Sequence, residues 1–597
     1  MRSEAQTTLA ATHSFAIGDE DFLLDGSPFR IISGAIHYFR VHPDQWADRI
    51  HKARLMGLNT VETYVAWNFH SSRPGEFRTD GARDLGRFLD LVAAEGLHAI
   101  VRPGPYICAE WTNGGLPTWL TADRDVRLRS SDARFVSAVG DYLDELAPIL
   151  APRQIDAGGP IILMQIENEY GAYGDDKAYL ARLVELYRAA GLTVPLTTVD
   201  QPFERMLQNG RLEGVHATAS FGSRSRERLA TLRGFQPAGP LMCSEFWDGW
   251  FDSWGTAHHV TSAAAAAREL DELLAAGASV NIYMFVGGTN FGLSNGANHK
   301  GLYQPIVTSY DYDAALAEDG SPAEKFWAFR EVIARYAPVP DEVPAARAPA
   351  PAFSGVLDRR ADWRAATLDS AEPRERGTAP TFDDLLHDGF LLYRHAVSTA
   401  DRAVLLAPEV RDRGQVFLDG DPVGVIQRDQ RDAVLALPAV ADGALEILVE
   451  EMGRVNYADR IGEWKGLGPV SLDGRALDDW SVHRVDLDPD RIERALSDGG
   501  GVRAAHAVAG PVVLGGGFVL DEPADLFLAT DGWGKGIAWV NGFALGRYWS
   551  RGPQATLYVP AGALRAGENR LALFELTGVA AATFRFVAQP ALGPTEL

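Results

Sequence analysis

The sequence predicts an α/β chain: a (β/α)8 TIM barrel followed by two all-β jelly-roll or sandwich domains. Three observations carry that expectation. Eight short β-type runs alternate with amphipathic helical stretches up to Ala337, a Pro- and Ala-rich connector follows, and beyond it the helices largely give way to turn-bounded strands.

The eight runs are Arg30 to Ala35, Thr60 to Ala66, His98 to Arg102, Pro160 to Ile166, Val194 to Val199, Val215 to Ser220, Pro240 to Glu245 and Ser279 to Val286. They are apolar almost throughout, as strands buried on both faces must be. Between them, helical stretches such as Gln45 to Met56, Leu85 to Glu95, Asp132 to Leu146, Lys177 to Ala190 and Ala263 to Ala276 place apolar residues three and four apart, and Glu324 to Tyr336 closes the series. Parallel strands joined through helices close most economically into a barrel. The alternative, a doubly wound open sheet, lacks its Gly-rich turn after the first strand.

The barrel is expected over residues 1–337, with a connector over 338–352 stiffened by Pro340, Pro344 and Pro349. A first sandwich is expected over 353–480 and a second over 481–597, with boundaries that interleave. Strand-type runs include Gly389 to Val397, Ala403 to Ala407, Gln415 to Leu418, Leu445 to Val449, Leu526 to Ala529, Ile537 to Val540 and Asn569 to Leu576. Two segments repeat one another, Val416 to Val425 around Asp419-Gly420 and Ala538 to Arg547 around Asn541-Gly542. Both read as two-residue hairpins, whose central residues need positive φ. Gly515 to Gly517 reads as a bend.

The chain has 597 residues, enough for several cores, with 46% hydrophobic and 23% charged residues. Its mean hydropathy of −0.11 is that of an ordinary globular protein. Lys plus Arg number 56 against 80 Asp plus Glu, a net charge of −24 that repels nucleic acid and anionic lipid and leaves a neutral or cationic small molecule as the expected partner. Met1 to Phe15 carries no apolar run of signal-peptide length, and no stretch approaches the ~18 apolar residues of a membrane span. Cys108 and Cys243 are the two cysteines, both in apolar stretches, and no Asn-x-Ser/Thr acceptor occurs. A cytoplasmic protein with two unpaired, buried cysteines is expected.

In a closed barrel, side chains at the C-terminal strand ends converge on one mouth. Here those ends are rich in carboxyl groups and rings: Glu62, Tyr64 and Trp67 after the second strand; Tyr106, Cys108, Ala109, Glu110 and Trp111 after the third; Glu167, Asn168, Glu169 and Tyr170 after the fourth; Glu245, Trp247 and Trp250 after the seventh. Two carboxyl groups facing across a mouth lined with aromatic rings suit glycoside hydrolysis. Glu245, the sole acidic residue ending the seventh strand, is the expected nucleophile. Glu167 and Glu169 share a face by strand alternation and compete for the acid role, and Asn168 suits a sugar 2-hydroxyl. The pairs His258-His259 and Asp311/Asp313 lack a metal-site framework, no Gly-x-Ser-x-Gly elbow occurs, and neither metal nor cofactor is expected.

Taken in order, these motifs resemble glycoside hydrolase family 35, the β-galactosidases. They are Ser33 to Arg40, Gly57 to Tyr64, Arg102 to Trp111, Gln165 to Gly171, Ser244 to Phe246, Met284 to Gly292 and Thr308 to Asp313, with Gly466 to Val470 and Val540 to Gly542 in the tail. The resemblance implies a retaining exo-β-galactosidase acting on a small-molecule β-galactoside, with a homodimer as an allowed assembly. It makes Glu169 the acid/base and Glu245 the nucleophile, and gives Glu167 a supporting role. It also implies that Tyr64, Cys108, Ala109, Glu110, Asn168 and Tyr312 contact galactose and that Trp250 forms an aromatic wall. The retaining mechanism requires carboxyl groups ~5 to 5.5 Å apart. Leu293 and Ser294 stand where the family's animal members carry aromatic residues, a departure that bears on the leaving group. Two other readings are an exo-hydrolase of another β-hexoside, such as an exo-β-glucosaminidase, and a non-catalytic sugar-binding protein using Trp533, Trp539 and Trp549.

Overall fold

A computed structural model describes residues 13–368, 379–502 and 506–595. Most of the N-terminal stretch inspected for a leader lies outside the described residues. All eight expected barrel strands are present: β1 (Ile32–Ile36), β2 (Thr60–Tyr64), β3 (His98–Gly104), β4 (Ile161–Ile166), β5 (Leu196–Asp200), β6 (His216–Phe221), β7 (Met242–Trp247) and β8 (Ser279–Val286). They close into a barrel in chain order, each pairing in parallel with its neighbours. Their residues are buried almost without exception, which is why they lack the polar alternation of half-exposed strands. The surrounding helices start where short acceptors cap them. Asp84 accepts from Arg87 N, Asp132 from Arg134 N and Phe135 N, Asp176 from Tyr179 N, and Ser262 from Ala265 N.

One element escaped the sequence reading. An antiparallel sheet of Phe15–Ile17, Phe22–Leu24 and Ser27–Phe29 precedes β1. Phe29 and Phe22 set ring edges against His98 and His216, the first residues of β3 and β6, so the sheet covers the N-terminal end of the barrel. Strands of three residues are too short to display a period.

No regular element occupies 338–352. Beyond it lie two sandwiches. A five-stranded sheet (Asp421–Gln427, Arg413–Leu418, Val440–Glu450, Phe390–Thr399, Ser481–Arg484) faces a four-stranded one around Leu391, Tyr393, Val416 and Ile447. A six-stranded sheet containing Arg359–Ala361, Val512–Leu520, Gly567–Glu575, Lys535–Val540 and Phe543–Trp549 faces a four-stranded one around Leu514, Leu528, Leu573 and Phe584. The chain is not cut cleanly between them. Phe353–Val356 and Arg359–Ala361, expected in the first sandwich, pair with Thr583–Val587 and Val512–Leu520 of the second. Ser481–Arg484, expected in the second, pairs with Phe390–Thr399 of the first. Pairing partners this distant in sequence leave no local trace.

Both predicted hairpins form, with Asp419 and Gly420 at φ 52° and 87° and Asn541 and Gly542 at 51° and 83°. Gly515 to Gly517 are not a bend. They sit inside the continuous strand Val512–Leu520, where a Cβ on Gly516 would come 2.4 Å from Val356 O. Close approach of the neighbouring strand, not chain reversal, requires the glycine. Cys108 and Cys243 are free and buried. Among the described residues, no helix is long and apolar enough to cross a membrane.

The first sandwich is bolted to the barrel through a buried charge cluster. Lys465 Nζ donates to Asp412 Oδ1 (2.9 Å) and Oδ2 (2.7 Å), Arg428 Nη1 donates to Asp412 Oδ1 (3.0 Å), and the Tyr303 hydroxyl, from the loop after β8, donates to Asp412 Oδ2 (2.9 Å). Burial raises the Asp412 pKa, but Lys465 and Arg428 more than offset it and hold the carboxyl below its usual range. Lys465→Met removes one of the two cations that compensate that buried carboxylate. Stability should fall by about 3 kcal/mol, read from chemical denaturation, because the buried carboxylate then keeps Arg428 but loses its closest cation.

Candidate active site

A cavity of about 280 Å3 opens at the C-terminal end of the barrel. Its lining includes the nine residues to which the family resemblance gives a role in catalysis or galactose contact: Tyr64, Cys108, Ala109, Glu110, Asn168, Glu169, Glu245, Trp250 and Tyr312. Glu167 is not among them. The loops that deliver these side chains are tightly turned. Cys108, Ala109 and Glu110 take successive φ values of 56°, 50° and 48°, and Glu167, Glu169 and Tyr312 are also left-handed, at 57°, 44° and 62°. Such conformations cost energy for non-glycine residues and persist because their surroundings hold them. Arg40 supplies part of that hold. Its Nη2 donates to Ala109 O (2.6 Å), its Nε donates to Asn290 Oδ1 (2.9 Å), and its guanidinium lies 3.7 Å from the Tyr310 ring centroid. Gly249 lets the loop after β7 pass Tyr312, since a Cβ there would come 1.6 Å from Tyr312 O.

Glu167 and Glu169 differ sharply in their partners. Glu167 turns away from the cavity and is fully engaged. Arg129 donates to it through Nε (3.0 Å) and Nη2 (2.7 Å), the Tyr179 hydroxyl donates to Oε1 (2.9 Å), and the Asn168 backbone N–H donates to Oε2 (2.7 Å). Glu169 faces the cavity and has no ion pair among the described residues. It accepts from Ser220 Oγ (2.6 Å) and Gln201 Nε2 (3.2 Å). Burial and then the negative charge of Glu245 push its pKa up to about 7, against the opposing pull of those two hydrogen bonds.

Glu245 is surrounded by donors. The Tyr64 hydroxyl donates to Oε1 (2.5 Å), Trp247 Nε1 donates to Oε2 (3.1 Å), and Arg102 Nη1 stands 2.8 Å from Oε1 as an ion pair without a hydrogen bond's alignment. Both carboxyl groups are 6% exposed, so the contrast between them comes from partners rather than depth. Asn168 shares Arg102 with Glu245. Arg102 Nη2 (2.6 Å) and Gln165 Nε2 (3.3 Å) donate to its Oδ1, which orients the amide so that Nδ2 remains to donate to a ligand. On the opposite side, Glu110 accepts from the Tyr310 hydroxyl (2.5 Å), and burial raises its pKa. The buried rings of Tyr64, Tyr283 and Tyr312 form the inner wall. Trp250, stacked on Phe251 at 5.0 Å, stands with Tyr457 and Lys300 toward the outside.

Several lining residues were missed. Gln201 directly follows β5, so the strand-end rule that found Glu169 could have found it. Tyr283 lies within β8, Asn298 lies in the short strand Ala297–His299 beyond it, and Lys300 directly follows that strand. Tyr457 comes from the first sandwich, where Tyr106 donates to Asn456 O (2.6 Å) and Gly462 N donates to Asn113 Oδ1 (3.1 Å), laying that segment across the mouth. Nothing local marks it. Leu293 and Ser294 do not line the cavity. Leu293 packs against the sandwich cluster of Phe390 and Phe574, and Ser294 O accepts from Thr112 N, so the leaving-group side depends on other residues. Trp533 and Trp539 are buried sandwich core, while Trp549 packs against Trp254. No cluster of three or more metal-ligating side chains occurs among the described residues.

The model of glycosyl hydrolases family 35 matches residues 21–336, and models of the first all-β domain and the galactose-binding domain of β-galactosidase match 380–486 and 511–569. The chain is 42% identical over 568 residues to a Bos taurus β-galactosidase, covering 90% of this chain and 86% of that one. It is 40% identical to a β-galactosidase of Mus musculus (93% and 90% covered) and 40% identical to a β-galactosidase-1-like protein of the same species (96% and 91% covered).

Glu167→Gln and Glu169→Gln should separate cleanly. The first breaks a buried ion pair and should lower stability by about 3 kcal/mol, whereas the second should leave the unfolding midpoint close to the parent's. In Glu245→Gln the Glu169 carboxyl should titrate at lower pH than in the parent, because a neighbouring negative charge is gone. Difference infrared or carboxyl NMR titration reads the shift.

Proposed function

Given that the chain belongs to glycosyl hydrolases family 35, and so is a glycoside hydrolase, we propose that it is a retaining exo-β-galactosidase. It removes terminal non-reducing β-linked galactose from oligosaccharides or glycoconjugates by double displacement. The observation that carries this reading is the unequal treatment of two carboxyl groups facing one cavity. Glu245 has a guanidinium at 2.8 Å; Glu169 has no cation among the described residues and a raised pKa. The first has a cation beside its carboxyl, as suits a nucleophile, and the second, its pKa raised to about 7, holds a proton to give, as a general acid must.

In the first step Glu245 attacks the anomeric carbon while Glu169 protonates the departing glycosidic oxygen, leaving a galactosyl ester on Glu245. Forming that ester removes the negative charge that helped raise the Glu169 pKa. Glu169, now ionised, then takes a proton from water as the water displaces the ester. Asn168, with its amide oxygen tied to Arg102, offers Nδ2 to the sugar 2-hydroxyl, where contacts strengthen toward the transition state. Glu110, Tyr64, the Cys108-Ala109 turn and Tyr312 enclose the remaining hydroxyls, and Trp250 supplies a ring face. Galactose is supported by the names of the similar proteins, and single-sugar removal by the buried inner wall of tyrosines. The leaving group points outward past Trp250, where a hollow of about 170 Å3 shares Phe251, Asn298 and Lys300 with the cavity.

Proton NMR of the first-formed sugar should show the β-anomer, and an α-anomer would sink the mechanism. Among aryl glycosides the β-galactoside should be turned over far faster than the β-glucosaminide. Glu169→Gln should slow galactosides with poor leaving groups by roughly 10²–10⁴-fold while sparing dinitrophenyl galactoside. Azide should rescue Glu245→Ala as the α-galactosyl azide, and absence of that product counts against Glu245.

A further inference from the structure

Arg102 has two carboxyl neighbours, and the mechanism above uses one. The guanidinium is 1% exposed, stacked 4.1 Å from the Tyr64 ring centroid. Its Nη1 faces Glu245 Oε1 at 2.8 Å, and its Nε faces Glu62 Oε1 at 3.7 Å. Glu62 is itself 1% exposed. Its Oε2 accepts from Asn281 Nδ2 (3.2 Å), and Asn281 is fixed by Ser33 Oγ donating to its Oδ1 (2.6 Å) and by its own donation to Ser244 O (3.0 Å). Glu62 Oε1 accepts no hydrogen bond, nor do Arg102 Nε and Nη1 find an aligned acceptor. A buried carboxyl oxygen aimed at a buried guanidinium, with the hydrogen bond unmade, is not explained by fold stability alone.

We propose that Glu62 is a positioning residue that serves as the second counterion of Arg102, balancing that guanidinium when Glu245 is converted to an ester. The proposal rests on the reading of Glu245 as nucleophile. In the first half-reaction a Glu245 oxygen forms a bond to the anomeric carbon as the bond to the leaving group breaks, and the leaving group departs with the electron pair. The Glu245 carboxylate charge disappears. Arg102, which cannot release its proton, would then stand uncompensated inside the barrel, a costly state. Glu62 keeps the local charge balanced. In the second half-reaction water displaces the ester, Glu169 takes the water's proton, and the Glu245 carboxylate returns.

The charged and titratable groups facing Glu62 are Arg102 on β3, Glu245 on β7 and Tyr64 on β2; β1 and β8 contribute the neutral Ser33 and Asn281. Burial first, with the Glu245 charge adding and Arg102 opposing, sets the Glu62 pKa at about 7. Above that pH it carries its charge in both states, so no proton moves to or from it in the cycle. An ionised Glu62 thus favours the ester over the free carboxylate. It repels free Glu245 and compensates Arg102 after esterification. The two half-reactions must therefore respond in opposite directions to its loss.

The test uses the full-length protein at pH 8 with 2-deoxy-2-fluoro-β-D-galactosyl fluoride, whose fluoride leaves without a proton. In Glu62→Gln, inactivation should slow by roughly tenfold, and reactivation of the isolated trapped enzyme should quicken by several-fold. Glu62→Asp should move both rates less. Should the Gln protein not be recovered, Glu62→Asp against Glu62→Asn repeats the charge contrast. Rates that fall together, or neither changing, overturn the proposal and leave Glu62 a packing residue. A parent enzyme that turns over aryl galactosides but is never trapped overturns the nucleophile reading itself, a distinct failure.

Discussion

Five glutamates, Glu62, Glu110, Glu167, Glu169 and Glu245, meet around one barrel mouth, and three buried guanidiniums stand among them. Carboxylates cannot share a low-dielectric space unless each is paired, richly hydrogen-bonded or protonated. The placement of Arg40, Arg102 and Arg129 therefore sets which carboxyl groups are compensated by a cation. Arg129 is spent on Glu167, which becomes structure. Arg102 sits beside Glu245 as its cation. Glu169, left without a cation, is pushed toward its neutral form. Arg40 fixes the turn that carries Glu110 rather than pairing with its carboxyl.

The same logic extends outward. The mouth is built from strongly turned loops, and those loops are held by the sandwiches. Asn456 and Gly462 bind the loop after β3, while Asp412 binds Tyr303 from the loop after β8. Arg547 reaches Asn295 and donates to Glu451 O (2.6 Å), tying the second sandwich to the same loop and to the first sandwich. The β-rich half of the chain is thus part of the site's frame. Tyr457 makes the point directly, since it reaches the cavity from the first sandwich.

The fold was legible where the pattern was local. Continuous apolar runs marked all eight strands because a parallel barrel buries both faces of each. Asp-Gly and Asn-Gly marked two hairpins because few other pairs accept two positive φ values. The three-residue strands under the barrel were too short to signal. The interleaving of Phe353–Val356 with Thr583–Val587 depends on pairing across most of the C-terminal half. Gly516 reads as part of a bend in the sequence and as close packing in the structure, a distinction set by Val356 and Phe584, both far from it in the chain.

The site divides in the same way. The amino-acid sequence alone determined which residue types would reach the mouth, because strand ends in a closed barrel converge by geometry. It pointed to Glu245 and narrowed the second carboxyl to Glu167 or Glu169, with the motif likeness favouring Glu169. Only the tertiary structure decided which carboxyl receives a cation and which is left without one. A charge's partner is set by distance in space, and Arg129, Arg102 and Ser220 come to the mouth from three different stretches of the chain.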